Sequence, residues 1–364
     1  MDPLTHALTG ATIVYTFPKE SRPWWFLVWG MLVAMLPDID ILFVSSAIDY
    51  IKVHRGITHS LAGAWGLAFI CTIPLVVLTA LRPQPNELPP PKQISWTLIE
   101  AWFFTYAILI LHIWLDVMNS YGTQIFLPFS EYRVRLNSLF IVDLLLILPL
   151  IIGLFFRRNN RFIMVLLLLW TIIYPLTNIV IRLGLETYLT HSYLAKNTFQ
   201  TQKEITLPRH NTEEHIIAVH LIPDAFTPFH WKLILDKGEH WNVSGYNSFT
   251  SPPSKFTSFK KPPEVLWDML KEKSSIFRTY EQFVVFPVLT ESYETQTGKV
   301  YIFSDLRFGS TIPFINDLQV KREGEELAFR IMAHINHAGE LSSVRFITGF
   351  GAGGDTGWVD PLPD

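Results

Sequence analysis

The sequence predicts an α-helical polytopic membrane domain of about five spans plus a short N-terminal helix, followed by a β-rich soluble domain. Across 364 residues, 49% are apolar and only 17% charged, which is too apolar for an average soluble chain. The apolar residues are unevenly spread: between Trp24 and Leu185 they gather in runs near the ~20 residues that a bilayer core requires. From Thr190 onward charges recur every few residues, and short runs alternate apolar with polar side chains as half-buried strands do. The expected domains are therefore a membrane-embedded one over 1–188 and a soluble one over 189–364.

The apolar segments run over 4–17, 24–46, 61–81, 97–117, 138–156 and 162–185. At ~1.5 Å per residue the first reaches only part way across a bilayer, so it is expected as a partly buried or re-entrant helix. The second is interrupted by Pro37-Asp38-Ile39-Asp40. Two carboxylates beside a membrane are costly unless paired or bound to metal, which marks this break as functional. The remaining four are better spans, although Asp143 lies inside one of them and calls for a structural partner such as Arg133 or Arg135, or for a metal. The Pro-rich stretch Arg82–Pro91 is a loop, since proline removes the helical N–H. Beyond 190, the runs 230–235, 299–303 and 329–333 have the period of strands, and one helix is expected at 263–281.

Composition also excludes. A net charge of −3 without a basic block gives no reason to expect a nucleic-acid-binding module, though a nucleic acid remains conceivable as a substrate. The single cysteine, Cys71, permits no intrachain disulfide and no cysteine metal cluster. Met1-Asp2-Pro3-Leu4 lacks the basic region of a cleaved signal peptide, so the first segment is expected to stay in the mature protein.

The polar residues of the apolar half fall on one side of this topology. His6 is near the N-terminus, Asp38 and Asp40 end the second segment, His54 and His59 follow in the loop, and His112 and Asp116 end the fourth. Imidazole and carboxylate are the usual ligands of zinc and related divalent ions. His112 and Asp116 are spaced i, i+4, which puts both on one helical face. The spacing of His54 and His59 with Gly56 between them fits a loop that turns into a helix near Ser60. A lone imidazole at a membrane boundary is ordinarily a hydrogen-bonded interfacial group, but four of twelve histidines gathered with three aspartates favour metal binding. Thr58 and Asn119 are expected to orient the imidazoles. Asp2, Asp38, Asp40 and Asp116 bring four negative charges against Arg55, a load that two divalent ions would neutralise. Arg55 suits a bidentate grip on a phosphate oxygen, and pairing with Asp38 or Asp40 is an equally ordinary role. Arg55 and Asp40 are the candidate catalytic residues. His210, His215, His220, His230 and His240 have no ligand spacing, and His334 and His337, three apart on an expected strand, face opposite ways and read as structural.

Met1-Asp2-Pro3-Leu4-Thr5-His6, Leu36-Pro37-Asp38-Ile39-Asp40, His54-Arg55-Gly56-Ile57-Thr58-His59-Ser60 and His112-Ile113-Trp114-Leu115-Asp116, in that order, resemble the YdjM family of membrane-bound, metal-dependent hydrolases. Tyr121-Gly122-Thr123, Leu127-Pro128-Phe129-Ser130 and Phe140-Ile141-Val142-Asp143 continue the likeness, which covers about the first 185 residues. The order of His and Asp is also distantly similar to the superfamily of zinc-dependent phospholipase C and single-strand-specific nucleases, all-helical proteins that hold a zinc cluster. This chain lacks the N-terminal Trp of that superfamily and any His-x-x-x-Glu after Asp116, so one or two ions are expected. The resemblance implies a multi-pass protein of the cell (inner) membrane. It also implies a hydrolase that uses a divalent metal, most simply zinc, on a phosphoester such as a phospholipid headgroup, with membrane lipids as its surroundings and the C-terminal domain covering or feeding the site. A metal-ion transporter or a non-catalytic metal-binding scaffold is the alternative; ligands at one boundary and the lack of an internal repeat weigh against it.

Orientation follows from the short loops. Lys19, Arg22, Arg82, Lys92, Arg157, Arg158 and Arg161 occupy alternate connections, against Lys52, Arg55, Arg133 and Arg135 opposite, so the former connections are expected in the cytoplasm and the C-terminal domain outside it. In a Cys71→Ala background, a cysteine introduced in the C-terminal domain should react with an impermeant maleimide added outside the cell. Labelling of the 82–96 loop instead would reverse the topology.

Overall fold

A computed structural model describes residues 1–18, 23–81, 96–204, 216–315, 328–349 and 354–361. The Pro-rich stretch Arg82–Pro91, expected as a loop, and Lys19, Arg22, Arg82, Lys92, His210 and His215 lie outside the described residues. The chain divides into two compact units, 1–43 with 53–179 and 44–52 with 180–364.

The first unit is helical. Helix α1 (Pro3–Tyr15) starts where Asp2 accepts the Thr5 N–H, with proline in the first turn where its missing N–H costs nothing. Helix α2 (Trp24–Met35) passes into a 3-10 turn over Leu36–Phe43, because Pro37 cannot supply the next N–H of the α ladder. The short helix α3 (Ala47–Val53) belongs almost wholly to the second unit; where the first resumes, a 3-10 turn covers Ile57–His59 and the Ser60 hydroxyl caps α4 (Leu61–Ala80) by accepting the Gly63 N–H at 2.9 Å. Thr97 and Glu100 form a reciprocal cap on α5 (Leu98–Val117). Among the described residues, four helical stretches are long and apolar enough to cross a membrane: Trp24–Phe43, Leu61–Ala80, Leu98–Val117 and Arg161–Leu194, the last within α7 (Arg161–Glu204). Their outward faces are greasy, with Leu32 61% and Ile70 66% exposed, as lipid-facing residues are.

Two expectations are revised here. The segment 138–156 yields only the 13-residue helix α6 (Leu144–Phe156), which starts at its Asp143 cap; ahead of it the Ser138 and Leu139 N–H groups donate to the Met118 carbonyl at 2.7 and 2.9 Å. Asp143 pairs with neither Arg133 nor Arg135: it accepts from the Leu146 N–H at 3.1 Å, capping α6, and from the Tyr174 hydroxyl at 2.9 Å.

The second unit holds two four-stranded antiparallel sheets of simple up-and-down order. The first contains β1 (Ala218–Pro223), β2 (His230–Asp236), β3 (His240–Asn247) and β4 (Thr257–Lys260); the second contains β5 (Pro287–Thr295), β6 (Gly298–Asp305), β7 (Arg330–Asn336) and β8 (Leu341–Ile347). The single helix expected at 263–281 is two, α8 (Glu264–Lys273) and α9 (Ser275–Phe283), divided at Ser274, whose extended backbone breaks one helix and caps the next. His334 lies on β7 and bonds the Ser342 hydroxyl at 2.7 Å, whereas His337 falls in the turn beyond the strand, so the two do not face oppositely along one strand.

Helices α1 and α2 pack backbone to backbone at Gly10. A Cβ there would press into the Gly30 carbonyl and stand 2.7 Å from the Ala34 Cβ, so only glycine allows this approach. In a free helix Gly→Ala gains ~1 kcal/mol of propensity. Gly10→Ala should instead lower the melting temperature in detergent, through an overpacking cost of ~1–3 kcal/mol; an unchanged or higher melting temperature would refute the close contact.

Candidate metal centre

The centre is assembled from four places in the first unit. The Leu36–Phe43 turn presents Asp38 and Asp40, the loop before α4 presents His54, Arg55, Thr58 and His59, the end of α5 presents His112 and Asp116, and α1 presents His6. Asp38, His59, His112 and Asp116 each bring one donor atom into a group whose members all lie within 4.8 Å of one another. His59 Nε2 lies 3.1 Å from His112 Nε2, 3.2 Å from Asp116 Oδ2 and 3.3 Å from Asp38 Oδ1. His112 Nε2 lies 3.3 Å from Asp116 Oδ2 and 3.7 Å from Asp38 Oδ1. A tetrahedron of ligands at the ~2.0–2.1 Å typical of zinc has edges of about 3.3–3.4 Å, so these five distances are compatible with a small ion.

The tautomers agree. His112 Nδ1 is 2.7 Å from the Ala34 carbonyl, which can only accept, so the ring proton sits on Nδ1 and Nε2 carries a lone pair. His59 Nδ1 is 3.0 Å from the Thr58 hydroxyl and 3.2 Å from Asp40 Oδ2, and the Thr58 hydroxyl itself donates to Asp40 at 3.1 Å. Its proton is likewise held away from the centre. With both rings neutral, two imidazole lone pairs and two carboxylate oxygens lie within 4.8 Å of one another, and Asp116 Oδ2 has no hydrogen-bond partner. Burial alone would favour neutral His59, but the carboxylates of Asp116, Asp38 and Asp40 outweigh it and raise its pKa to about 10. The cluster calls for positive charge, and the donor set fits a divalent metal.

The other expected residues surround these four. Asp40 is buried and takes His54 Nδ1 at 3.0 Å on one oxygen and the Arg55 N–H at 2.9 Å on the other. His6 is fully buried, stacks on His112 at 3.7 Å between ring centroids, and brings Nε2 to 3.5 Å from Asp116 Oδ1. His6, Asp40 and His54 are therefore in the cluster but outside the convergent four. Arg55 meets neither Asp38 nor Asp40 with its guanidinium: Nη2 lies 3.1 Å from Asp116 Oδ1, and Nη1 donates to Asn119 Oδ1 at 2.8 Å. It does so from a left-handed backbone, φ 60°, which costs a non-glycine residue ~1–2 kcal/mol and turns its N–H toward Asp40. Asn119 serves Arg55 and the Tyr121 N–H and orients no imidazole, while Asp2 spends its carboxylate on Thr5. The Met1 amino group lies against Asp116, and burial, with Arg55 beside it, pushes its pKa down toward the neutral amine. Sequence reasoning had no signal for the Ala34 carbonyl, a backbone group 78 residues from the imidazole it orients.

A polytopic helical membrane protein with a buried carboxylate–imidazole centre is the class that this fold and site define. The chain belongs to the family described as YdjM inner membrane protein, whose profile matches residues 1–185 and so contains every residue of the centre. It is 33% identical over 102 residues to "Uncharacterized protein YfhP" of Bacillus subtilis (strain 168), a match covering 28% of this chain and 27% of that protein. It is 29% identical over 134 residues to "Inner membrane protein YbcI" of Escherichia coli (strain K12), covering 36% of this chain and 69% of the other. No solved structure matches significantly.

His112→Ala and Asp116→Ala should each abolish stoichiometric metal in the purified protein, read by elemental analysis, whereas His334→Ala should leave it unchanged. Asp40→Asn, which only supports the donors, should weaken metal affinity by roughly 10–100-fold rather than remove it. Full metal content in His112→Ala would remove the centre.

Proposed function

We propose that this chain is a membrane-bound, metal-dependent hydrolase that holds one divalent ion, most simply zinc, and cleaves a phosphoester such as a phospholipid headgroup. The observation that supports it most is the meeting of two imidazole and two carboxylate donors at tetrahedral spacing. The charge balance favours one ion over two: Asp38, Asp40 and Asp116 against Arg55 leave two negative charges, which one divalent cation neutralises. Asp38 is 20% exposed while the other three donors are buried, so the centre has an open side, as catalytic zinc sites do and closed structural ones do not.

When bound, the ion supplies Lewis acidity toward a phosphoryl oxygen and acidifies water toward a pKa of ~7. The chain's own residues would do the rest. Ala34, Thr58 and Asp40 hold His112 and His59 in the metal-binding tautomer. Asp40 also accepts a hydrogen bond from His54 Nδ1–H, and burial lowers the His54 pKa, so a neutral imidazole backed by a carboxylate stands beside the centre as proton acceptor. Arg55, with both Nη groups engaged, is a brace for Asp116 rather than a phosphate clamp. A lipid substrate suits the setting, because a centre in a membrane protein can receive a headgroup while the acyl tails stay in the bilayer. The excess of basic residues in alternate loops supports an extracytoplasmic C-terminal domain.

Metal-loaded protein in nonionic detergent should hydrolyse bis(4-nitrophenyl) phosphate, and His112→Ala should lose metal and turnover together. Arg55→Lys should lower both in step, with roughly a tenfold loss of metal affinity, since a point ammonium cannot brace Asp116 and Asn119 at once. Stoichiometric metal without turnover of phosphodiesters or phospholipids would sink the hydrolase reading in favour of a transporter or scaffold.

A further inference from the structure

The connection between α6 and α7 is tight and strongly basic. Gly153 of α6 packs so closely on α7 that a Cβ there would stand 2.2 Å from Leu167 Cδ1. Across the turn the Arg157 N–H donates to the Gly153 carbonyl at 2.8 Å, and the Asn160 N–H donates to the Arg157 carbonyl at 2.8 Å. Arg157, Arg158 and Arg161 are thereby confined to one short turn between two apolar helices. Residues 155–161 line an open pocket of about 760 Å³, within the ~300–1,000 Å³ range of small-molecule sites.

Three cations so close repel one another. Bonds within the chain use only part of what they offer. Arg161 spends Nε on the Thr16 carbonyl at 2.7 Å, which docks the turn on the C-terminal end of α1. Among the described residues, neither its two Nη groups nor the Arg157 side chain has a further hydrogen bond or an ion pair. Arg157, Arg158 and Arg161 are all exposed. Beside them Phe155, Phe156 and Phe162 are largely exposed as well, a greasy rim that needs an apolar cover. The pocket lies where the membrane-crossing stretch Arg161–Leu194 begins, so lipid is the medium that meets this rim.

We propose that this pocket binds an anionic phospholipid, its phosphate held between Arg157 and Arg161 and its acyl chains lying along Phe155, Phe156 and Phe162. A guanidinium grips a phosphate in a bidentate fork, and basic pockets between membrane helices take anionic headgroups. A net negative headgroup is required, because a zwitterionic one brings its own cation toward three guanidiniums. Thr16 follows α1 at the end away from His6, about 15 Å along the axis, so this site is separate from the metal centre.

Native mass spectrometry of the full chain in nonionic detergent, titrated with dioleoyl phosphatidylglycerol, tests it. One phosphatidylglycerol should bind saturably, and dioleoyl phosphatidylcholine at least tenfold more weakly. Arg157→Gln alters an exposed side chain that holds nothing else, so it should weaken phosphatidylglycerol at least fivefold and leave the melting temperature unchanged. Adding Arg161→Gln should weaken it further. Lys52→Gln removes the same charge from another exposed position and should not alter binding. His112→Ala should not alter it either, whereas it would disrupt a lipid held at the metal centre. The proposal is overturned by no binding, by equal binding of the two lipids, by undiminished binding in Arg157→Gln, by an equal loss in Lys52→Gln or His112→Ala, or by glycerol 3-phosphate binding as tightly as the lipid.

Discussion

Three carboxylates, Asp38, Asp40 and Asp116, stand together in an apolar helical unit with one guanidinium, Arg55, in contact with Asp116, and this charge imbalance organises the first unit. In a medium of low dielectric such a group cannot persist without compensation. The chain supplies part of it through hydrogen bonds: Asp40 is bonded by the Arg55 N–H, His54 and Thr58, and Asp116 by Arg55. What remains is a group of donor atoms from His59, His112, Asp38 and Asp116, all within 4.8 Å of one another, that could hold a metal ion.

That convergence rests on features otherwise hard to account for. The close approach of α1 and α2 at Gly10 and Gly30 sets the position of Ala34, whose carbonyl fixes the ring of His112. The 3-10 turn that Pro37 initiates presents Asp38 and Asp40 to the histidine loop. Arg55 accepts a left-handed backbone so that its N–H meets Asp40 while its side chain reaches Asp116, and its carbonyl is held by the Gln124 N–H at 3.0 Å. Strain of this kind is kept where the surrounding bonds over-determine the conformation, as they do here.

The second unit solves a different problem. Two antiparallel sheets bury aromatic and branched residues, among them Trp231, Phe303 and Phe346, and also a lysine. Lys232 is tied to the carbonyls of Leu306 and Gly309, so it fixes the segment after β6. A fold seeking stability alone would place an apolar residue there.

The sequence by itself determined the helical membrane half, the β-rich remainder, and the identity of the polar residues that meet. Hydrophobic run length and period are local properties, and carboxylates in an apolar segment are conspicuous because they are costly. The pairing of His112 with Asp116 was likewise legible, since i, i+4 spacing is fixed by helical geometry alone. Tertiary structure alone decided which donors share one point, that Arg55 braces Asp116, that Asn119 serves Arg55 rather than an imidazole, and that Ala34 sets a tautomer. It also decided that Asp143 bonds Tyr174 and that 263–281 breaks at Ser274. Each of these depends on contacts between residues distant in the chain, or on backbone groups that every residue possesses, and neither leaves a mark in the order of side chains.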